Sequence, residues 1–172
     1  MTFELDLDPT DIADGREIGG SWMEVTYKFG FDAETCQIYF MRVGFHRLPS
    51  GPWELFFQVV IRHTNSGQVD VFWGGAVKPF GASSEERIII RGSVNLAARL
   101  LLELKMPETV DMVTRDANLP APALDKFGLL GDVFREYGYR EVFQEPFHGK
   151  KVWRFTTDPD DEEKEVADGQ QE

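Results

Sequence analysis

At 172 residues with 42% apolar side chains, 14 Phe, 4 Trp and 4 Tyr, the chain has the size and aromatic content of one folded domain. A formal charge of −12 argues against direct nucleic-acid binding, which needs a basic surface. The single cysteine, Cys36, excludes an internal disulfide framework.

The acidity is uneven. Residues 158–172 carry eight acids against Lys164, so −7 of the −12 lies in the last fifteen positions. Residues 1–20 read as an acidic N-terminal arm, 21–157 as an α+β domain and 158–172 as a disordered acidic tail, because so few apolar residues cannot offset the entropy of ordering. No stretch approaches the roughly 18 apolar residues of a membrane span, and the N-terminus lacks the apolar core of a secretory signal. The expectation is a cytoplasmic protein with no membrane contact.

Within the arm, Phe3, Leu5 and Leu7 alternate and offer an edge strand. Four strand-like runs follow. Val25, Tyr27, Phe29 and Phe31 alternate with Glu24, Thr26 and Lys28. Cys36–Leu48 places Tyr39, Met41, Val43 and Phe45 on one face and Ile38 and Phe40 on the other. Trp53, Leu55, Phe57, Val59 and Ile61 share a face opposite Glu54, Phe56, Gln58, Val60 and Arg62, and the fourth run covers Gln68–Trp73. The segments 32–34, 49–52 and 64–67 are short and rich in turn formers, which predicts an antiparallel meander.

After the loop 78–84, Arg87–Arg91 reads as a short buried strand. Ser93 then reads as the N-cap of a helix to Lys105, with Val94, Ala97, Leu101 and Leu104 inward and Pro107 ending it. Val110–Val113 is a further strand. A loop with Asn118, Pro120 and Pro122 leads into a helix from about Ala121 to Tyr137, inner stripe Phe127, Leu130, Phe134 and Tyr137, stopped by Gly138. Tyr139–Phe143 and Val152–Phe155 close the chain as a hairpin around 146–149. The predicted fold is α+β: an antiparallel meander of about six to eight strands packed with two main helices in a single domain.

Candidate chemistry is sparse. His46, His63 and His148 follow no metal-ligand spacing, and no metal site is expected. Cys36 reads as a buried small apolar residue. Ser83, Ser84 and Ser93 sit where serine serves backbone hydrogen bonding, and no Gly-x-Ser-x-Gly elbow occurs. Glu24, Glu54 and Asp70 read as solvent-facing strand positions. No catalytic residue and no cofactor is assigned.

From Trp53 onward the inferred order is strand, strand, strand, helix, strand, helix, strand, strand. That order resembles the GNAT acyltransferase superfamily, as does Asn118 followed by a helix ending in Tyr137-Gly138-Tyr139. The resemblance implies coenzyme A at the start of the first helix, with Arg91, Gly92 and Ser93 as the cofactor-binding residues. The stretch Arg91–Ala97 lacks the superfamily's paired small residues, and its N-terminal helices are absent.

The leading expectation is therefore a small acidic interaction or accessory protein that binds a protein partner with a basic surface. The alternatives are a GNAT-like acyltransferase, a small-molecule binder with an aromatic-lined cavity, or a homo-oligomer formed through an apolar sheet face.

Overall fold

A computed structural model describes residues 3–12, 15–18, 20–49, 51–73, 80–114, 121–143 and 150–157. The acidic tail, the loop around Lys78-Pro79, the Asn118 loop, the centre of the last hairpin and His148 lie outside the described residues.

Nine strands, two α-helices and a short 3-10 helix (Pro9–Ile12) are described. The strands are β1 (Glu4–Leu5), β2 (Gly15–Ile18), β3 (Trp22–Asp32), β4 (Gln37–Arg47), β5 (Trp53–His63), β6 (Val69–Trp73), β7 (Thr109–Val113), β8 (Arg140–Phe143) and β9 (Val152–Thr156). The helices are α1 (Ser84–Leu104) and α2 (Ala121–Glu136). The pairs β1–β3, β2–β3, β3–β4, β5–β6, β7–β9 and β8–β9 are antiparallel, so the fold is α+β as expected. The chain divides into two compact units. One holds residues 1–46 and 55–105; the other holds 47–54 and 106–172.

In the first unit β1 and β2 both pair with β3, which continues through β4 and β5 to β6. The expected edge strand at Leu5 is β1; β2 forms where the sequence suggested only a loose arm. Period-2 patterning sorts the sheet cleanly. Met23, Val25, Tyr27, Phe29, Tyr39, Met41, Val43, Phe45, Leu55, Phe57, Val59 and Ile61 are buried on the face toward α1. The Tyr27 hydroxyl, 2.8 Å from Ser93 Oγ, ties that face to the helix.

α1 corrects the sequence reading. Residues 87–91 are not a strand, and Ser93 is not an N-cap. The helix starts ten residues earlier at a capping box, in which Ser83 Oγ accepts the Glu86 amide and the Glu86 carboxylate accepts the Ser83 amide. Three consecutive isoleucines suit either a buried strand or a helix; only Ile90 is buried, while Ile88 and Ile89 are 68% and 48% exposed. Ser93 is buried mid-helix, where its hydroxyl donates to the Ile90 carbonyl at 2.7 Å. The inward stripe is Ile90, Val94, Ala97, Ala98, Leu101 and Leu102, so Leu104, expected inside, faces out.

Cys36 is a second correction. It is exposed at φ +55° in a turn that runs to residue 36 rather than 34. The cause is Asp32, whose carboxylate accepts the amides of Glu34 and Thr35 and holds those residues out of the strand.

In the second unit β9 lies between β7 and β8. Val110, Met112, Trp153 and Phe155 share one face by register. Phe127 stacks on Trp153 and Phe134 on Phe155, which seats α2 against that face. α2 ends as its sequence requires: Gly138 takes φ +85°, and the Tyr139 amide returns to the Phe134 carbonyl. The Tyr139 hydroxyl donates to the Pro107 carbonyl at 2.5 Å, and burial pushes its pKa up to about 12.

Two outcomes follow. A Cβ at Gly44 would lie 2.5 Å from both the Met23 carbonyl oxygen and the Phe56 ring, so Gly44→Ala should cost about 2 kcal/mol in denaturant unfolding. Tyr139 stays neutral in the folded chain at pH values where an unfolded tyrosine ionises. Its contribution to stability is therefore intact below about pH 10 and declines as pH rises toward 12; Tyr139→Phe should flatten that decline in alkaline melts.

Candidate functional site

The face of the first unit's sheet that points away from α1 carries Trp22, Glu24, Thr26, Phe40, Arg42, Gly44 and His46 from β3 and β4. It continues with Phe56, Gln58, Val60 and Arg62 from β5 and Val69, Val71 and Trp73 from β6. Because Gly44 has no side chain, the Phe56 ring can lie over it. Trp22 packs on that ring at 4.6 Å, His46 at 5.9 Å and Trp73 at 6.1 Å, and Trp22 also stacks on His46. At the far end the Arg62 guanidinium lies over Phe40.

Polar groups lie within this apolar ground. Glu24 is buried, contrary to the sequence reading. Its carboxylate accepts the Trp22 Nε1–H at 2.9 Å and forms a 3.5 Å ion pair with Arg42. Gln58 is 3% exposed, and its Oε1 has no hydrogen-bond partner among the described residues.

Strand β6 is an edge strand, which pairs with β5 alone among the described strands. His63 N–H donates to the Gln68 carbonyl at the hairpin end. The antiparallel alternation from that bond turns the backbone groups of Asp70 and Phe72 toward β5 and those of Val69 and Val71 away from it. The same strand exposes its side chains: Val69 51%, Val71 45%, Phe72 42% and Trp73 46%. Phe72 points to the α1 side, where its ring meets Phe80.

Asp70, read as solvent-facing, is half-buried and bonded. The Gln68 side-chain amide and then the His63 ring hold its carboxyl below the usual carboxylate range. His63 and His46 lie on opposite faces, so the structure does not bring them together. Among the described residues no three His, Cys, Asp or Glu side chains are placed to hold a metal ion.

The second unit has a shallow cleft of about 370 Å³ lined by Gly51, Pro52, Trp53, Glu108, Thr109 and Arg154. Its cation is already committed. Arg154 Nε and Nη2 donate to the two carboxylate oxygens of Asp111 at 2.8 and 2.9 Å, and Asp111 is buried. Glu54, expected to face solvent, is buried as well.

Arg91, Gly92 and Ser93 do not form a helix N-terminus. They lie eight to ten positions into α1, where intrahelical bonds consume the amides that would face a pyrophosphate. The observed order from Trp53 is strand, strand, helix, strand, helix, strand, strand, one strand short of the order that suggested an acyltransferase. Compared with known proteins, the chain matches no family model, no curated protein and no solved structure. Among the described residues no helix is long and apolar enough to cross a membrane.

Trp22 and the edge position of β6 went unread in the sequence. Alternating Val69, Val71 and Trp73 announce a strand, but nothing local distinguishes an edge strand from a central one.

The Asp111–Arg154 pair has a thermodynamic signature. Asp111→Asn alone should destabilise by about 3 kcal/mol because it strands the guanidinium, whereas the double variant with Arg154→Met should recover most of that loss. Urea unfolding of the two singles and the double closes the cycle.

Proposed function

We propose that this chain is an interaction protein that binds another protein along strand β6. The observation that carries the reading is a strand that pairs with β5 alone among the described strands and whose Val69, Val71, Phe72 and Trp73 are all at least 42% exposed. Sheet edges are normally blunted by charge, proline or a bulge, because an open edge with apolar side chains pairs with other chains. Here the only charge within the strand is Asp70. Leaving four large apolar groups in water forgoes on the order of 25 cal/mol for each Å² that a partner would cover. The adjoining Trp22, Phe56 and Trp73 cluster extends the apolar surface onto the sheet face, and aromatic residues are enriched at protein interfaces.

A photo-crosslinking residue at position 69, in cells that make the protein, tests this directly. The expected result is a discrete protein adduct that is absent when the same residue stands at exposed position 103. The purified partner should then bind the wild-type chain and lose about tenfold or more in affinity to a Val71→Lys, Trp73→Lys variant. Equal labelling at 69 and 103 would count against β6 as the binding surface.

A further inference from the structure

We infer that the occupant of β6 is an extended segment of the partner that adds a strand to this edge, apolar where it lies beside Val71 and Trp73 and basic where it lies beside Asp70. The inference rests on the binding role of β6 and specifies its mode and the chemistry of the partner.

Backbone geometry gives the mode. Val69 and Val71 turn their N–H and C=O groups away from β5, and their side chains are the exposed apolar groups of the outer face. A partner strand lying alongside would bond those groups and, in the same register, lay alternate side chains over Val71 and Trp73. Its intervening side chains would fall on the other face, beside Asp70 and Phe72.

Charge gives the chemistry. Asp70 is the one ionisable residue in β6, and the chain as a whole carries −12. On its own face Gln68 Nε2 donates to one Asp70 oxygen and His63 Nε2 lies 2.9 Å from the other, while the Asp70 side chain stays 36% exposed; Arg62 points to the opposite face and lies over Phe40. An approaching strand therefore meets a part-exposed carboxylate on the α1 side, the one charged side chain of β6. Lysine or arginine at that position is attracted; an acidic residue is repelled.

A second copy of this chain fits less well. Two β6 strands paired about Val71 would oppose Val69 to Trp73 and Asp70 to Phe72, so neither copy would set a Lys or Arg beside the other's carboxylate. It would also bring together two bodies of charge −12 over a five-residue strand.

The test uses the full chain and two fluorescein-labelled nonapeptides, one of alternating Val and Lys and the other of alternating Val and Glu, read by anisotropy at 0.15 M salt. The Lys peptide should bind about tenfold or more tightly than the Glu peptide. Val71→Pro removes only an outward-facing amide, so it should fold with nearly unchanged melting temperature yet lose the Lys peptide by a similar factor. If Val71→Pro does not fold, a Lys peptide N-methylated at alternate residues makes the same test from the other side. Asp70→Asn should shrink the Lys-to-Glu preference to within about threefold.

Undiminished binding to Val71→Pro, or of the methylated peptide, would mean simple attraction to an acidic surface and would overturn strand addition. Equal affinity of the two peptides would overturn the basic requirement while leaving a position-69 crosslink, and with it the binding role, intact. A dimer in sedimentation that Val71→Pro dissociates would make the occupant a second copy and refute a heterologous partner. Loss of the crosslink itself would instead remove the binding role from β6.

Discussion

Strand β5 sets the terms for the rest of the first unit. The part of it in this unit has seven consecutive buried residues, Leu55 to Ile61, so neither face of the strand can be left to water. The face toward α1 is closed by the helix stripe from Ile90 to Leu102. The opposite face has no helix described over it and is closed by its own side chains: Phe56 lies on Gly44 beneath Trp22 and His46, and Trp73 reaches it from β6. A glycine at position 44 is therefore a packing requirement of the strand beside it.

That arrangement transfers the cost of an open edge outward. β6 shields β5 from Gln58 to Arg62 and in doing so becomes the edge. A strand of five residues flanked on one side only cannot bury side chains on both faces, so Val69, Val71, Phe72 and Trp73 remain in water. The exposed apolar strand and the buried aromatic cluster are two results of one constraint. It also explains why a surface suited to recognition lies beside the most tightly packed part of this unit.

The second unit handles polarity differently. Its helix-facing side is apolar and aromatic on β7 and β9, with Glu141 of β8 bonding Arg135 of α2 on that same side, while the other side carries Thr109, Asp111, Arg154 and Thr156 in register across β7 and β9. A bidentate guanidinium–carboxylate pair fixes two neighbouring strands to each other at one place, because both oxygens and two nitrogens must align at once. Its demand for geometry makes it better suited to specifying strand register than to adding stability.

Much of this was legible in the residues. Period-2 alternation located β3 to β7 and the closing hairpin, and the faces of β4 and β5 were assigned correctly, because a strand's pleat is a local property. Gly138 marked the end of α2 for the same reason. The misreadings were places where local signals compete. Ile88-Ile89-Ile90 fits a strand or a helix, and the deciding feature was the Ser83-to-Glu86 capping box a few residues upstream. The Asp32 side chain lengthened a turn and carried Cys36 out of the core. Glu24 read as solvent-facing because its polarity was visible, whereas the Trp22 and Arg42 groups that permit its burial come from the fold.

By itself the sequence determined most of the strands, the second helix, which side chains share a face of β4 and β5, and that the net negative charge is concentrated toward the ends. Only the tertiary structure decided that β6 is an edge and β5 is not, that Arg91 to Ser93 lie inside a helix, and that an aromatic cluster forms over Gly44. Alternation is written in neighbouring residues, but an edge is defined by the absence of a strand alongside, and no residue in β6 encodes what lies beside it.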